Sequence, residues 1–500
     1  MRVLSPEQTI EIERKALHEG FSAEALMEEA GRGMSAAVGQ FEPRAGVCLA
    51  VFGKGHNGGD ALVCARLLSE AGWRVILIPA FSAEELAPLT SQKWNEAGRC
   101  ETLSLAHLES WRPDPALPLV VLDGLLGIGS RGPLRGPISR AAEAMNALRR
   151  RSHARVFALD LPTGLDATTG ATTAHTVVAD VTLTVGFPKS GLVAEGAEHC
   201  VGRLAVIPLE AFCERVSGPF SEEVAAPPTL APLWARRSAG IHKGDCGRVA
   251  LVAGTRGTMG AAALAAMGAL RSGAGLVTLW VAEAVYPLAV SIVPVECMVR
   301  PASDLREVLE DRADTLGIGP GLGTGRPQEI LDIIRGFRGP AVVDADALNV
   351  LAHEPGILSR CSGPRLLTPH PGEMNRIAPD LKGLSRVETA TRFAQKWPVT
   401  LLLKGARSVV STEGRPLSWN PTGNAGMASG GMGDVLTGVC ASFLAQGLEC
   451  HDAARLGAWC CGRAAEALIA RRSRSEESLL ATDVAMALGD AFDALRRRGV

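Results

Sequence analysis

The stretch Asn424-Ala-Gly-Met-Ala-Ser-Gly-Gly-Met-Gly-Asp434-Val-Leu436 joins a glycine-rich turn to a carboxylate and then to an apolar run. Gly426, Gly430, Gly431 and Gly433 come first, and Asp434 follows the last of them. Val435, Leu436, Val439, Cys440, Phe443 and Leu444 then repeat at helical spacing. A glycine turn entering a helix N-terminus gathers free backbone N–H groups and the positive end of the helix dipole at one point. Such a point holds a phosphate or a developing anion. Asp434 would repel a resting phosphate there, but it suits a base that takes a proton from a hydroxyl attacking one. Alone, Gly-Met-Gly-Asp is equally a loop that only turns the chain.

The elements before that stretch converge on it. From residue 241 the chain repeats strand, loop and helix. Apolar runs at 248–253, 276–281, 316–318, 341–343, 366–367 and 399–403 each lead into a polar or glycine-rich loop. These loops include Gly254-Thr-Arg-Gly-Thr258-Met-Gly-Ala261, Gly319-Pro-Gly321-Leu-Gly323, Asp344-Ala-Asp346, Thr368-Pro-His370-Pro-Gly-Glu373 and Lys404-Gly405-Ala406-Arg407-Ser408. Loops on the exit side of parallel strands ring a single cleft. Each loop is a weak signal alone; together with the anion site they argue for phosphoryl transfer, which needs phosphate cradling, a base and usually a divalent metal.

The first half follows the same grammar with different loops. Ser5-Pro6-Glu7-Gln8 reads as a capping box with proline at the first helical position, and Ser22 opens a second helix. Apolar runs at 47–52, 75–79, 119–122, 156–159, 181–185 and 204–207 alternate with helical stretches at 61–71, 83–97 and 138–150. That pattern predicts a mostly parallel sheet covered on both faces. Three loops leave its strand ends: Gly53-Lys-Gly-His56-Asn57-Gly58-Gly59-Asp60, Asp123-Gly-Leu-Leu-Gly127-Ile128-Gly129-Ser130-Arg131-Gly132, and Asp160-Leu-Pro-Thr163-Gly-Leu-Asp166. The first is neither a dinucleotide fingerprint nor a Walker loop. One aspartate at a strand end is commonly a cap or turn former. Three, with the Asn57 amide and the Thr163 hydroxyl, look like oxygen ligands around a cation and a polar substrate.

At 500 residues the chain exceeds one ordinary core, so two domains are expected. Apolar residues make up 47% and charged residues 21%, as in globular proteins, and the net charge of −2 supports neither nucleic-acid nor membrane partners drawn by a basic field. Twelve cysteines include no C-x-x-C pair, which reads as reduced, mostly buried thiols of a cytoplasmic protein. Glu7, Glu11 and Glu13 come too early for a signal peptide, and no apolar run is long enough to span a membrane. The proline-rich stretch with Pro219, Pro227, Pro228 and Pro232 is the expected domain boundary.

With these motifs in order, residues 5–208 resemble the N-terminal domain of the NAD(P)H-hydrate epimerase family. The usual Asn-Asn-Gly-Gly-Asp is here His56-Asn57-Gly58-Gly59-Asp60, a departure at one ligand-contacting position. The resemblance implies a Rossmann-like three-layer domain that interconverts the R and S epimers of the hydrated nicotinamide cofactor. It implies potassium at Asn57, Asp123 and Thr163. It also implies substrate contacts from His56, Asn57, Gly58, Gly59 and Asp60, from Gly127, Ile128, Gly129, Ser130, Arg131, Gly132 and Pro133, and from Asp160. Asp160 is the candidate for acid–base work. Arg131 and Lys189 are candidate cationic phosphate contacts, the lysine against its reading as an exposed surface side chain.

Residues 238–495 are similar to the ribokinase-like C-terminal domain of ADP-dependent NAD(P)H-hydrate dehydratase, through Thr-Pro-His-Pro-Gly-Glu, Leu-Lys-Gly-Ala-Arg and the Asn424–Leu436 motif. That family phosphorylates the ring hydroxyl of the S hydrate and eliminates phosphate, restoring NADH or NADPH at the expense of ADP, with AMP and phosphate as products. The similarity implies hydrate contacts at Ala261, Gly321, His370 and Asp434, with Asp434 as base. It implies nucleotide contacts at Lys404, Gly405, Ala406, Arg407, Ser408 and Gly433, with Mg2+ and ADP as cofactors. Thr258 departs from the larger residue common there. The expectation is therefore an α/β chain with an epimerase-like domain over 1–216, a linker over 217–235 and a dehydratase domain over 236–500, cytoplasmic and homo-oligomeric. Two readings compete with it: a ribokinase-like kinase of a vitamin-like alcohol, and a non-catalytic nucleotide-binding or interaction module in the first half. Asp160→Asn with a measurement of epimer exchange separates them.

Overall fold

The computed structural model describes every residue except Glu109, Ser130, Arg131, Glu214, Ser217 and 498–500. The chain forms two compact units that divide between Phe220 and Ser221.

The first unit is built on strands β1 (Val47–Phe52), β2 (Arg74–Pro79), β3 (Glu101–Thr102), β4 (Leu119–Gly124), β5 (Arg155–Leu159), β6 (Val181–Val185) and β7 (Arg203–Ile207). They form one seven-stranded sheet in the order β3-β2-β1-β4-β5-β6-β7, every pairing parallel. A continuous apolar run such as Val47–Phe52 is buried at all six positions, because the sheet is covered on both faces. Cys48, Ala50 and Phe52 pack on one side with helices Ala23–Phe41 and His56–Glu70. Val47, Leu49 and Val51 pack on the other with helix Gly136–Ser152. The result is a three-layer, Rossmann-like sandwich. Its strand order reverses between β1 and β4, where ligands bind in such sheets.

Two local expectations for this unit change. The helix expected over 83–97 is broken: a short turn at Ala83–Glu85 precedes a helix at Pro88–Glu96, and Pro88 occupies its first turn. The helix expected from residue 61 begins at His56. Gly58 and Gly59 are therefore helical, and their missing side chains serve packing. A Cβ on Gly58 would lie 2.2 Å from the Gly53 carbonyl oxygen, and one on Gly59 would lie 2.4 Å from the end of Met27.

The second unit holds β8 (Glu222–Val224), β9 (Arg248–Val252), β10 (Leu276–Ala282), β11 (Met298–Ala302), β12 (Thr315–Ile318), β13 (Ala341–Val343), β14 (Arg365–Leu367), β15 (Thr400–Leu403), β16 (Val409–Thr412) and β17 (Leu417–Trp419). They form a ten-stranded sheet in the order β11-β10-β9-β12-β13-β14-β15-β16-β17-β8, parallel from β11 to β15. The β15–β16 and β16–β17 pairings are antiparallel. Helices Met259–Arg271 and Met432–Ala445 pack closely, since a Cβ on Gly438 would fall 1.9 Å from the Ala265 carbonyl oxygen. The abundance of alanine and glycine thus reflects tight helix contact.

The expected linker over 217–235 is corrected for most of its length. Residues 222–224 are an edge strand on β17. Ala225 and Leu230 join the core of the second unit, and Arg455 forms a buried ion pair with Glu223 at 2.7 Å. Composition alone read the prolines as a spacer, although prolines also suit a sheet edge. All twelve cysteines are unpaired, and nine of them are buried. Among the described residues no helix is long and apolar enough to cross a membrane.

Candidate active sites

In the first unit the loops after β1, β4 and β5 surround a cavity of about 500 Å3. Those after β1 and β4 abut, since a Cβ on Gly53 would lie 2.1 Å from the Leu125 carbonyl oxygen. His56, Asn57, Asp60, Gly127, Ile128, Gly129 and Asp160 line the cavity, whereas Gly58, Gly59, Gly132 and Pro133 stand outside its lining. Ser130 and Arg131 lie outside the described residues.

Beside the cavity lies a cluster of oxygen donors. Asp123, at the end of β4, is fully buried. It accepts from the Thr163 backbone N–H at 2.8 Å, the Thr163 hydroxyl at 2.7 Å and the Leu125 N–H at 3.3 Å. Burial nonetheless pushes its carboxyl up to about 6, against those hydrogen bonds. Asn57 donates to the Leu126 carbonyl at 2.9 Å. Its Oδ1 is buried and has no donor among the described residues. An orphaned amide oxygen near a buried carboxylate and a threonine hydroxyl suits a hard monovalent cation, which would also relieve Asp123. The three residues expected to hold potassium fit that role.

Asp160 has a left-handed backbone with φ of 66°, a strained state for a side-chain-bearing residue that clusters at functional positions. Its Oδ1 accepts from Lys189 Nζ, from the Val185 N–H at 3.1 Å and from the Thr184 hydroxyl at 3.4 Å. Lys189 also donates to the Thr184 hydroxyl at 3.1 Å and the Val185 carbonyl at 2.9 Å. It is 1% exposed, so the expectation of an exposed surface lysine is corrected. The cause lies far away in sequence: Leu4 bridges to residues 188 and 190, and the helix that follows it, Pro6–His18, adds Thr9, Ile10 and Glu13 to the cavity wall. Nothing local in the sequence signals these three residues. Asp60 stands in the same wall. Burial raises its carboxyl well above the usual range, with Asp160 and Glu13 adding repulsion and Lys189 opposing.

In the second unit the strand-end loops interlock. Gly254 N–H donates to the Pro320 carbonyl at 2.8 Å, Gly323 N–H to Asp346 at 2.8 Å and Lys404 N–H to the Pro369 carbonyl at 2.9 Å. Thr258 precedes helix Met259–Arg271, and its hydroxyl donates to the Gly321 carbonyl at 2.7 Å. A Cβ on Gly321 would meet that of Ala261 at 2.9 Å, so these two expected hydrate contacts adjoin. The smaller threonine at position 258 therefore keeps a defined packing role.

Helix Met432–Ala445 starts after Gly431, whose φ of 91° demands glycine. Its first-turn N–H groups and Asp434 open toward a charged cluster. Asp344, 1% exposed, accepts from Lys404 Nζ at 2.8 Å and from the Thr437 hydroxyl at 2.8 Å. A Cβ on Gly433 would lie 3.2 Å from Lys404 Nζ, so that glycine leaves room for the ammonium. Burial, then Asp344, pushes Asp434 up to about 6, with Lys404 opposing. Burial works against the Lys404 charge, but Asp344, Glu373 and Asp434 outweigh it and hold the ammonium above its ordinary value. A carboxyl near 6 beside a fixed ammonium is suited to general-base work near neutrality.

The remaining expected contacts are placed less uniformly. His370 caps helix Pro371–Ile377 through Nδ1, which accepts from the Gly372 N–H at 3.0 Å, and half of its side chain is exposed. Gly405 and Ala406 are exposed, Ser408 is half-buried, and Arg407 is turned inward, only 6% exposed. Sequence reasoning missed Arg386, whose guanidinium donates to the Arg407 carbonyl at 2.6 Å and lies over Gly405. Both oxygens of Asp344 are already engaged, and among the described residues no cluster of three His, Cys, Asp or Glu could hold a metal. Magnesium fits here only as an ion carried largely by nucleotide phosphates.

Comparison with known proteins matches each unit separately. A family model described as NAD(P)H-hydrate dehydratase matches residues 249–488, and one described as YjeF-related protein N-terminus matches residues 23–191. The bifunctional NAD(P)H-hydrate repair enzyme Nnr of Moorella thermoacetica is 36% identical over 456 residues, covering 86% of this chain and 84% of its own length. Its counterpart in Escherichia coli K12 is 36% identical over 481 residues, covering 93% and 88%. The crystal structure of ADP/ATP-dependent NAD(P)H-hydrate dehydratase from Bacillus subtilis aligns with 54% of this chain and 98% of its own, at 29% identity and a TM-score of 0.48.

Proposed function

Since the chain belongs to the family of bifunctional NAD(P)H-hydrate repair enzymes, we propose that its first unit interconverts the R and S hydrates and its second unit dehydrates the S hydrate with ADP. The observation that carries this reading is that each unit holds its own carboxylate in a shaped, charged setting. In the first, Asp160 is pinned to a buried lysine in a cavity wall. In the second, Asp434 stands at a helix N-terminus beside Lys404.

In the second site Asp434 takes the proton of the ring hydroxyl as that oxygen attacks the terminal phosphorus of ADP. AMP leaves, and the phosphorylated hydrate then loses phosphate and the neighbouring C–H proton to restore the ring double bond. The N–H groups that follow Gly431 hold the transferring phosphoryl group. Gly405, Ala406 and Ser408 bind the nucleotide, with Arg407 and Arg386 shaping the loop; Ala261, Gly321 and His370 border the hydrate. Magnesium would neutralise phosphate charge during transfer.

In the first site Asn57, Asp123 and Thr163 would hold potassium, which would supply a fixed positive field. His56, Asn57, Asp60, Gly127, Ile128, Gly129 and Asp160 contact the substrate. Cytoplasmic placement and homo-oligomeric assembly belong to the same proposal. The test is phosphorus NMR of the reaction of S NADH-hydrate with ADP. Equal amounts of AMP and phosphate are expected. A stable phosphorylated hydrate would instead favour a kinase, and turnover with ATP alone would replace the donor.

A further inference from the structure

Among the described residues three carboxyls line the first cavity, and two of them, Asp60 and Asp160, differ sharply in their partners. Asp160 Oδ1 is saturated by Lys189, Val185 N–H and the Thr184 hydroxyl. Among the described residues its Oδ2 has no hydrogen-bond partner, and it faces Gly127, where a Cβ would lie 4.0 Å away. Asp60 is the fifth residue of helix His56–Glu70 and has no hydrogen-bond partner among the described residues, yet it is coupled electrostatically to Asp160. Glu13, Lys54, His56 and Lys189 are the other charged or titratable groups in the cavity wall. Lys54 is engaged over the Phe81 ring, its Nζ 5.2 Å from the ring centre.

Resting on the epimerase reading above, we propose that Asp60 is the second proton-transfer residue of this site. Asp60 and Asp160 Oδ2 both face the cavity as the two proton-transfer groups, and Lys189 is the positioning residue that fixes Asp160. The hydrate carries its hydroxyl on a carbon bonded to the ring nitrogen. In one direction Asp60 gives its proton to that hydroxyl oxygen as the C–O bond breaks. Water departs, and the nitrogen lone pair makes a planar C=N+ centre. Water then adds to the opposite face, and Asp160 Oδ2 takes its extra proton. The carbon is inverted, the proton has moved from Asp60 to Asp160, and nothing is oxidised or reduced. From the other epimer the path runs backwards, with Asp160 as acid and Asp60 as base. Exchange with solvent resets the pair. Burial and the repulsion from Asp160 favour a protonated Asp60, as the arrangement requires.

The test uses the full chain without ADP, with NADH-hydrate enriched in one epimer and exchange followed by chromatography. The parent protein is expected to show a bell-shaped pH profile of kcat/KM and to take up about one solvent oxygen from 18O-water per inversion. D60N is expected to lose roughly 100-fold or more of the exchange rate. D60E is expected to retain activity with one limb of the bell displaced, a shift that a merely structural role would not produce. D60N exchanging within about threefold of the parent, D60E with unmoved limbs, or inversion without 18O uptake would each overturn the inference. A parent protein that does not exchange epimers would overturn the epimerase reading itself and this inference with it.

Discussion

Replacing Lys404 by methionine removes the cation that opposes burial and Asp344 at Asp434. Lys404 Nζ lies 2.8 Å from Asp344 and 4.0 Å from Glu373, and it lowers an Asp434 carboxyl that burial and Asp344 have raised to about 6. At pH 7 a base with that value is about nine-tenths ionised. Loss of a neighbouring cation raises a carboxylate by about 1–3 units. The ionised fraction at pH 7 would then fall to between roughly one half and one hundredth. The measurement is the pH profile of kcat/KM for the S hydrate at saturating ADP, which reports the titration of the ADP-bound site before the hydrate binds. K404M is expected to move the acid limb from near pH 6 to above pH 7. D344N should move it the opposite way, since Asp344 repels the Asp434 charge. An acid limb that stays in place in K404M, with the whole loss in the KM for ADP, would refute the electrostatic role and leave Lys404 as a nucleotide contact only.

Other expectations follow from the same geometry. Because the folded-state value of Asp434 is raised above that of the unfolded chain, its ionisation costs stability as pH rises from about 4 to about 6. D434N should therefore abolish dehydration yet melt higher than the parent at pH 7, and the difference should vanish below about pH 4. Potassium chloride should raise the melting temperature of the first unit more than sodium chloride at equal ionic strength, and Asn57→Ala should erase that difference. Gly438→Ala forces a Cβ toward the Ala265 carbonyl and should cost about 1–3 kcal/mol in denaturant unfolding. A chain starting at residue 236 lacks the β8 edge strand and leaves Arg455 without Glu223. It should unfold at lower denaturant than one starting at residue 218, by about 3–5 kcal/mol.

How far the fold was legible depended on burial. Runs such as 47–52 and 341–343 are buried on both sheet faces, so every residue is apolar and the run ends where the strand ends. Two of the missed strands, Glu101–Thr102 and Glu222–Val224, are short edges. An edge strand has one hydrogen-bonded neighbour and carries charge or proline, so its composition looks like loop. At the sites, glycines and aspartates at strand exits were visible because backbone approach and anion chemistry restrict residue type there. Lys189 was misread because its burial depends on Leu4 and on Asp160, neither of which is near it in sequence. Glu13 and Arg386 act across the fold in the same way. His56 to Asp60 read as a loop because two glycines rarely start a helix, but close contacts with Gly53 and Met27 exclude any side chain at positions 58 and 59.

The most direct test of two linked activities supplies the purified chain with a mixture of R and S NADH-hydrate, ADP, magnesium and potassium, and follows the return of reduced-nicotinamide absorbance. Recovery of both epimers is expected, at a rate well above spontaneous exchange. Recovery that stops at the S share would contradict it, leaving a working dehydratase joined to a first unit that does not catalyse exchange.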